Sequence, residues 1–556
     1  MTLAGTSEGT EAVAYNIADL FEHAVDYFPE RPAILSADGE ITFAELEEQA
    51  NRLAHHLAAH GVGTGSHVGM CTRNRLQSIV TMLAVYKLRA ALINVNFRYT
   101  AKEIAYVLEN ADVVALVHER MYSDRVADAL PAASTVKHTV VIDDESDLPI
   151  QGTPWDEALA SGRPERDFEE RTNDDLYILY TGGTTGMPKG VIWRHEDVWR
   201  TLGGGINFVT GEPLEDEWAQ AEVGKVTGGM RRICLAPLIH GNAQWAALMA
   251  LFAGDTVALL TQFDPVEVWK AVERWKINLI VLIGDAMARP MIDAFKAGNY
   301  DVSTLFAVSS SAALFSQSVK NEYLEALPNV VITDAIGSSE TGFMGMGLIT
   351  KDSEQGLGGP RVSVNKDTIV IDELNQPIPA GSPDIGRLAR GGHIPVGYYK
   401  DPEKTARLFV EVDGKRYTVP GDFARHEADG TITLLGRGNT CVNTGGEKVF
   451  PEEVEAALMS HPDVFDVLVV GVPDERLGQR VAAVIELREG ATTDAQALIE
   501  HVRTEVAGYK VPRSIWFVDK VQRLATGKAD YRWANEFAAD HPEDDACAPR
   551  SATSSV

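Results

Sequence analysis

An α/β protein is what this sequence predicts: a large N-terminal domain of helix-covered, mostly parallel sheets with a small antiparallel sheet or barrel, then a small mobile α+β C-terminal domain. Three observations point there. Helix-period and strand-period segments alternate from the N-terminus to about residue 340. Short strands separated by turn residues take over between about 385 and 435. A fresh β-α alternation starts after "GRGN". Strands alternating with helices imply parallel sheets covered by helices.

The elements follow in order. "TFAELEEQANRLAHHLAAHGV" has apolar residues at three-four spacing and a Gly stop, the pattern of an amphipathic helix. "HVGMCT" reads as a strand, "QSIVTMLAVYKLRAALINV" as helix then strand, and "DVVALVH" and "HTVVID" as strands. The alternation continues through "RRICLAPL", "DTVALL", "VEVWKAVERWKINLIVLIG" and "NVVITDAIG". "IGRLARG", "RYTVPGDFARHE" and "GTITLLGRG" are short strands of an antiparallel unit. "FPEEVEAALMSH" is a helix with Pro at its start, "VFDVLVVGVP" and "RVAAVIEL" are buried strands, and "DAQALIEHVRTEVA" is a helix. The domains expected are 1–437 and 441–540, joined by a hinge at 438–440. Residues 541–556, "HPEDDACAPRSATSSV", have the composition of a disordered tail.

At 556 residues, 45% hydrophobic and 23% charged, the chain can bury a large core without staples. The four cysteines are far apart, show no metal spacing and suggest free thiols in a reducing cytoplasm. No secretory signal and no run of 18 apolar residues occurs, so no stable membrane anchor is expected. A net charge of −30 argues against nucleic acid, whose binding rests on Lys and Arg neutralising phosphates. An anionic nucleotide would need a local positive island.

"YTGGTTGMPKG", residues 180–190, supplies one. It fails the P-loop pattern: Pro188 precedes Lys189, no Ser or Thr follows it, and the flanks "LYILY" and "GVIW" are both strands. Without a helix N-terminus, the loop must use the backbone N–H groups of Gly182, Gly183 and Gly186, the hydroxyls of Thr181, Thr184 and Thr185, and the charge of Lys189. An ordinary Gly-rich hairpin is the plain alternative. "AIGSSETG" follows a strand, at the carboxyl edge where open α/β sheets bind ligands. There Glu340 is a hard oxygen ligand suited to Mg²⁺ between protein and phosphates, with Ser338 and Ser339 beside it. "SSSAALF", residues 309–315, has small residues against which a flat ring can lie. Asp422 in "VPGDFA" and Arg437 in "LGRGN" suit ribose hydroxyls. Lys528, in "RLATGKADYR", would by itself be a solvated surface charge.

Taken together, these motifs resemble those of the adenylate-forming superfamily of acyl-CoA synthetases, luciferases and peptide-synthetase adenylation domains, over about residues 16–533. The supporting stretches include "YTGGTTGMPKG", "IGSSETG", "VPGDFA", "LGRGNTCVNTGGEKVFPEEVE" and "RLATGK". The resemblance implies ATP, Mg²⁺ and CoA as reactants or cofactors. It implies that Thr181, Thr184, Thr185 and Lys189 grip the phosphates, and that Glu340 holds Mg²⁺. Gly337 and the loop of Ser309, Ser310, Ser311 and Ala312 would border the adenine. Asp422 and Arg437 would hold the ribose. Lys528 would bridge carboxylate and α-phosphate, and His240 would stand where the acyl pocket meets the pantetheine tunnel. Gly445 and Gly446 would line that tunnel after the small domain rotates. The expected activity is AMP-forming ligation of an acid to CoA, and a homodimer is the family-level expectation.

Several positions depart from the family pattern: Gly182 where Ser is usual, Ile336 where an aromatic usually packs, Thr440 at the hinge, Arg387 for a common Glu, and Asn443 for a Lys or apolar residue. The acyl pocket is expected from His240, from "NAQWAALM" with Trp245, and from "GDAMARPM" with Gly284 and Met287. These residues favour a hydrophobic acid. The chain looks most like the actinobacterial synthetases that activate the side-chain carboxyl of steroids, such as cholesterol-derived acids. A medium- or long-chain fatty acid ligase is the alternative. From other classes, a P-loop ATPase or kinase, a nucleotide-binding module and a luciferase-like oxygenase were weighed. The first fails at Pro188, and the second has no need of Lys528.

Overall fold

The computed structural model describes residues 15–541, apart from 38, 184–185, 208–211, 351–359, 439, 445–446, 475 and 525–526. The proposed tail therefore lies almost wholly outside the described residues. Near the N-terminus a parallel sheet of five strands forms in the order Ala91–Asn94, His67–Cys71, Val113–Glu119, His138–Ile142 and Thr153–Pro154. Its strands are largely apolar runs, as both faces of a covered parallel sheet require. The helix Phe43–Ala59 starts on a capping box between Thr42 and Glu45 and buries Leu46, Leu53 and Leu57 in the main core.

A second sheet has a parallel centre formed by Pro32–Ser36, Thr256–Ala258, Arg231–Cys234, Leu279–Leu282, Ala307–Ser311 and Val331–Ser338. The short strands after residue 385 do not make a detached unit. The hairpin strand Gly342–Ile349 turns back antiparallel on Val331–Ser338. Arg361–Val364 then links it to Ile432–Arg437, Asp422–His426 and Ile385–Arg390, giving one sheet of 15 strands. Gly342–Ile349 is Gly-rich and carries no alternating signal. Its glycines serve close approach: a Cβ at Gly345 would lie 2.5 Å from the Ser363 carbonyl oxygen.

A third sheet joins Leu176–Gly183 and Gly186–Arg194 as an antiparallel hairpin, with Gly397–Tyr398 on its edge. The C-terminal unit begins with strands Val442–Thr444 and Glu447–Val449. It is built on the long pair Val464–Asp474 and Gly478–Leu487, with Ser514–Val518 parallel to the latter. Helices Pro451–Met459 and Ala495–Glu505 cover one face with their own apolar core, and Tyr531–Asp540 packs on the other.

The small unit meets the large one through both polar and aromatic contacts, with Phe450 and Phe423 rings 5.6 Å apart. Ser318 donates to the Met459 carbonyl at 3.0 Å, and Arg488 lies 3.6 Å from Glu322. Gly436, at φ +134°, faces the helix Pro451–Met459, and a Cβ there would lie 2.2 Å from Glu452 Oε2. The Glu452 carboxyl is buried; burial first and its neighbour Glu455 next push its pKa up. Among the described residues no helix is long and apolar enough to cross a membrane.

Candidate active site

One cavity of about 1350 Å³ is lined by Thr181, His240, Trp245, Ser311, Ala312, Gly337, Ser338, Ser339 and Lys528 of the expected site residues, whereas Lys189, Glu340, Asp422 and Arg437 are not part of its lining. It exceeds the roughly 300–1,000 Å³ usual for small-molecule pockets. At one end stand Thr181, Met187 and Pro188 of the hairpin, and along a side run Ser309, Ser311, Ala312 and Gly337 to Ser339. His240 and Trp245 lie further in, and Lys528 enters from the small domain.

The hairpin strands reach Gly183 and resume at Gly186, which pairs with it. Thr184 and Thr185 lie outside the described residues. Asn94, buried at the carboxyl end of its strand, fixes the hairpin's base. It donates to the carbonyls of Tyr180 and Ile239 at 2.7 Å and accepts from the Tyr180 N–H. The phosphate strand is thereby tied to the loop that carries His240.

Glu340 sits on a turn closed by side chains. The Ser338 N–H donates to Thr341 Oγ1 at 3.0 Å, and Thr341 donates onward to the Gly342 carbonyl. Ser338 Oγ accepts from the Glu340 N–H at 3.3 Å. The fully buried Trp193 donates its indole N–H to the Ser339 carbonyl at 3.0 Å, fastening the turn to the phosphate hairpin. Gly337 is needed here, since a Cβ would lie 2.4 Å from the Gly342 carbonyl oxygen.

Tyr398 joins the two anchors. Lys189 Nζ donates to its hydroxyl at 2.9 Å, the hydroxyl donates to Glu340 Oε1 at 3.0 Å, and Lys189 lies 3.8 Å from Glu340. The register explains this: Tyr398 pairs with Val191, two residues along the strand from Lys189, so both face one side. Sequence reasoning missed Tyr398, whose only signal was its place in "PVGYYKD". Tyr398→Phe should slow adenylate formation about tenfold, as for loss of a hydrogen bond to charged groups. Pyrophosphate release with the acid saturating checks this; an unchanged rate would mean Lys189 and Glu340 hold their places without the bridge.

On the ribose side, Asp422 and Arg437 are cross-strand partners, and Arg437 Nε donates to Asp422 Oδ1 at 3.0 Å. The Asp422 carboxylate raises the Arg437 pKa. Lys528 is exposed to the cavity yet ringed by protein; desolvation, then Arg437, lowers its pKa. Desolvation likewise lowers that of Lys189, against the pull of Glu340. The positive island required by a −30 chain is therefore made of Lys189, Arg437 and Lys528. His240, just before helix Gly241–Phe252, is pushed down to about 3 by burial, then by Lys528 and Arg98, so it is neutral at physiological pH.

Not every expected residue reaches the cavity. Ser311 and Ala312 line it, Ala312 in a left-handed conformation at φ +68°. Ser310 is fully buried behind them and accepts from the Gly284 N–H at 3.1 Å. Gly284 and Met287 correct the pocket assignment. Gly284 packs so close that a Cβ would lie 2.3 Å from the Leu314 carbonyl oxygen, and Met287 belongs to the core; Ile283 supplies the wall instead. The deep end is formed by residues the sequence reading did not name, among them Gln220, Arg232, Cys234 and Val257. Gly445 and Gly446 lie outside the described residues. Thr440 donates its hydroxyl to the Arg437 carbonyl at 2.8 Å, beside the expected hinge.

Known proteins place this arrangement. Residues 21–399 match the AMP-binding enzyme family and 453–528 its C-terminal domain. The chain is 53% identical over 542 residues to the 3-oxocholest-4-en-26-oate–CoA ligase of Rhodococcus rhodochrous, covering 96% of this chain and 98% of the relative. It is 52% identical over 541 residues to a medium/long-chain-fatty-acid–CoA/3-oxocholest-4-en-26-oate–CoA ligase of Mycolicibacterium smegmatis, with the same shares covered. Its fold superimposes on the anthranilate CoA ligase AuaEII in complex with anthranoyl-AMP with a TM-score of 0.81 at 22% identity, covering 95% of this chain and 99% of the other. ATP-bound MatB from Rhodopseudomonas palustris gives 0.79 at 25% identity, covering 94% and 99%. A family match across most of the length, with relatives above half identity over nearly all of it, makes this chain a member of the AMP-binding enzymes.

Proposed function

We propose that the protein is an AMP-forming acyl-CoA ligase for bulky hydrophobic acids, foremost a steroid side-chain carboxylate. One observation carries the reading: a single cavity joins the phosphate hairpin and Lys528 to a deep chamber with apolar walls at Trp245, Ile283 and Val257. The relatives named for 3-oxocholest-4-en-26-oate support the steroid, and the dual name of the Mycolicibacterium relative supports medium- and long-chain fatty acids as a second substrate class.

A carboxylate acylates poorly because its leaving group is oxide. In the first half-reaction its oxygen attacks the α-phosphorus of ATP, forming an acyl-adenylate, and pyrophosphate departs. The charge that develops on phosphoryl oxygens is met by preorganised cations. In this reading Lys528 would pair with carboxylate and α-phosphate, Thr181 and Lys189 with the β- and γ-phosphates, and Asp422 with Arg437 would hold the ribose. Glu340 fits Mg²⁺, which commonly takes one or two carboxylates plus substrate phosphates: its carboxylate sits on a braced turn, accepts from the Tyr398 hydroxyl and lies 3.8 Å from Lys189. The ion would neutralise phosphate charge there. In the second half-reaction the CoA thiol attacks the acyl carbonyl and AMP leaves, after the small domain turns about 438–440 and withdraws Lys528.

Mass spectrometry of products from ATP, Mg²⁺, CoA and a panel of steroid and fatty acids tests the reading. Acyl-CoA with equimolar AMP is expected; AMP and pyrophosphate without thioester would overturn the ligase. Trp245 stacks edge-on against Tyr177 at 4.9 Å in the pocket wall. Trp245→Ala should change the ratio of kcat/KM between steroid and straight-chain acids by roughly tenfold, the scale of a few methylenes in an apolar pocket, while leaving KM for ATP nearly constant. An unchanged ratio across the panel would assign Trp245 to the core alone.

A further inference from the structure

Three histidines meet far from the reaction, at the opposite edge of the N-terminal sheet. His56 and His60 lie one turn apart, at the end of helix Phe43–Ala59 and on its C-cap, and His138 opens the strand His138–Ile142. The cavity is reached from the carboxyl end of this parallel sheet, where Asn94 stands; His138 is at the amino end. One ligand nitrogen from each ring lies within 4.8 Å of the others.

Hydrogen bonding fixes two of the tautomers. His56 Nδ1 is 2.7 Å from Ser161 Oγ, and that hydroxyl already donates its proton to the Ala158 carbonyl at 2.9 Å. Ser161 therefore accepts, and His56 carries its proton on Nδ1. His60 Nδ1 is 2.8 Å from the His56 carbonyl, which can only accept, so His60 too is protonated on Nδ1. Both rings are left with bare Nε2 lone pairs. His56 Nε2 is 2.8 Å from His138 Nε2, and the His60 ring stacks on His138 at 3.8 Å. Ring nitrogens held in one tautomer by a hydroxyl or carbonyl on the other nitrogen are the outer-shell arrangement of metal-binding histidines.

We propose that His56, His60 and His138 form a binding site for a zinc-class divalent cation, through their Nε2 atoms, with solvent completing the coordination. Zn–N bonds of 2.0–2.1 Å in a tetrahedral set require nitrogens about 3.3 Å apart, so His56 and His138 part by about 0.5 Å from their 2.8 Å contact, and the His60 ring turns out of its 14° stack on His138 to bring both in-plane lone pairs to one ion. In the metal-free protein His138 donates its Nε2 proton to His56; on binding, His138 takes the tautomer protonated on Nδ1, the proton exchanging through solvent, and the Nε2 lone pair turns to the metal. Three neutral imidazoles select Zn²⁺, Ni²⁺ or Cu²⁺ over the Mg²⁺ suited to a carboxylate. The bound ion would clamp the helix end to the sheet and to the helix Trp155–Ser161, whose last residue orients His56.

The test uses tag-free protein, metal-stripped and then titrated with Zn²⁺ alone. One Zn²⁺ per chain at micromolar affinity is expected. His60→Ala, a change at an exposed position, and His138→Ala should each weaken it at least tenfold, and Glu340→Gln should not. Co²⁺ in place of Zn²⁺ should give visible d–d bands that vanish in His60→Ala. Ligase activity of both histidine variants, with Mg²⁺ supplied, should match the parent and show that they fold. Absence of micromolar binding, or binding that survives both histidine changes, would overturn the site.

Discussion

Replacing Lys528 by Ala should lower the rate of acyl-adenylate formation by roughly three orders of magnitude, about 4 kcal/mol of transition-state stabilisation. The ammonium is one of the charges the small domain brings to the cavity, beside Asp530, Arg532 and Glu536, while the pair Asp422–Arg437 is carried by the large sheet. Nucleotide binding should therefore survive. Given preformed acyl-adenylate, the variant should still make acyl-CoA, because that step follows withdrawal of the lysine. Measuring both half-reactions in one preparation decides the matter: a joint fall means that Lys528 is structural or that the domain does not turn. The same group predicts a pH effect. Its pKa lies below the ordinary 10.5, so the cationic form is lost at a lower pH than for a surface lysine. The alkaline limb of adenylation should appear correspondingly early and be absent from the residual activity of Lys528→Ala.

Glu340→Gln should cut adenylation by roughly two to three orders of magnitude, the scale for one preorganised electrostatic group. The substitution keeps the turn, since Ser338, Thr341 and Trp193 hold backbone atoms and not the carboxylate. What goes is the negative charge next to Lys189 and the Tyr398 hydroxyl. The apparent Mg²⁺ requirement should rise together with the rate loss, and excess Mg²⁺ should restore part of the activity. Pyrophosphate release at the parent rate, with unchanged Mg²⁺ dependence, would remove Glu340 from the reaction.

Much of this was readable from local pattern. The phosphate hairpin announced itself because Thr, Gly and Lys sat between two β-branched runs, and Glu340 because its turn followed a strong strand. What escaped reading depends on pairing between distant segments. Gly342–Ile349 looks like a loop because glycine is a poor strand former, yet its glycines let neighbouring backbones close up. The antiparallel strands were readable as a small sheet within the large domain, but no local signal tells that Arg361–Val364 bridges to Ile432–Arg437 and makes them continuous with the parallel strands. Gly284 and Met287 were placed in the pocket as part of the small, apolar stretch "GDAMARPM". In a helix only part of the circumference faces any one neighbour, and theirs faces the Leu314 backbone and the core. Tyr398 lies 58 residues from Glu340, and only the edge-strand register brings them together.

The seam at Gly436 bears on how quickly the enzyme can change posture. Interfaces built from interdigitated side chains must drag knobs out of holes as they part, and each vacated hole forfeits contacts while it stays empty. Here one wall is bare backbone, and the other is a carboxyl whose pKa is raised by its burial. Separation leaves no hole in the large domain and returns an acid to water, where it ionises and is well solvated. At Gly436 itself parting is opposed by little beyond the loss of flat contact, whereas beside it the Phe450 ring must leave Phe423. In the proposed turn of the small domain between half-reactions, the missing side chain at Gly436 removes one steric obstacle to the swing.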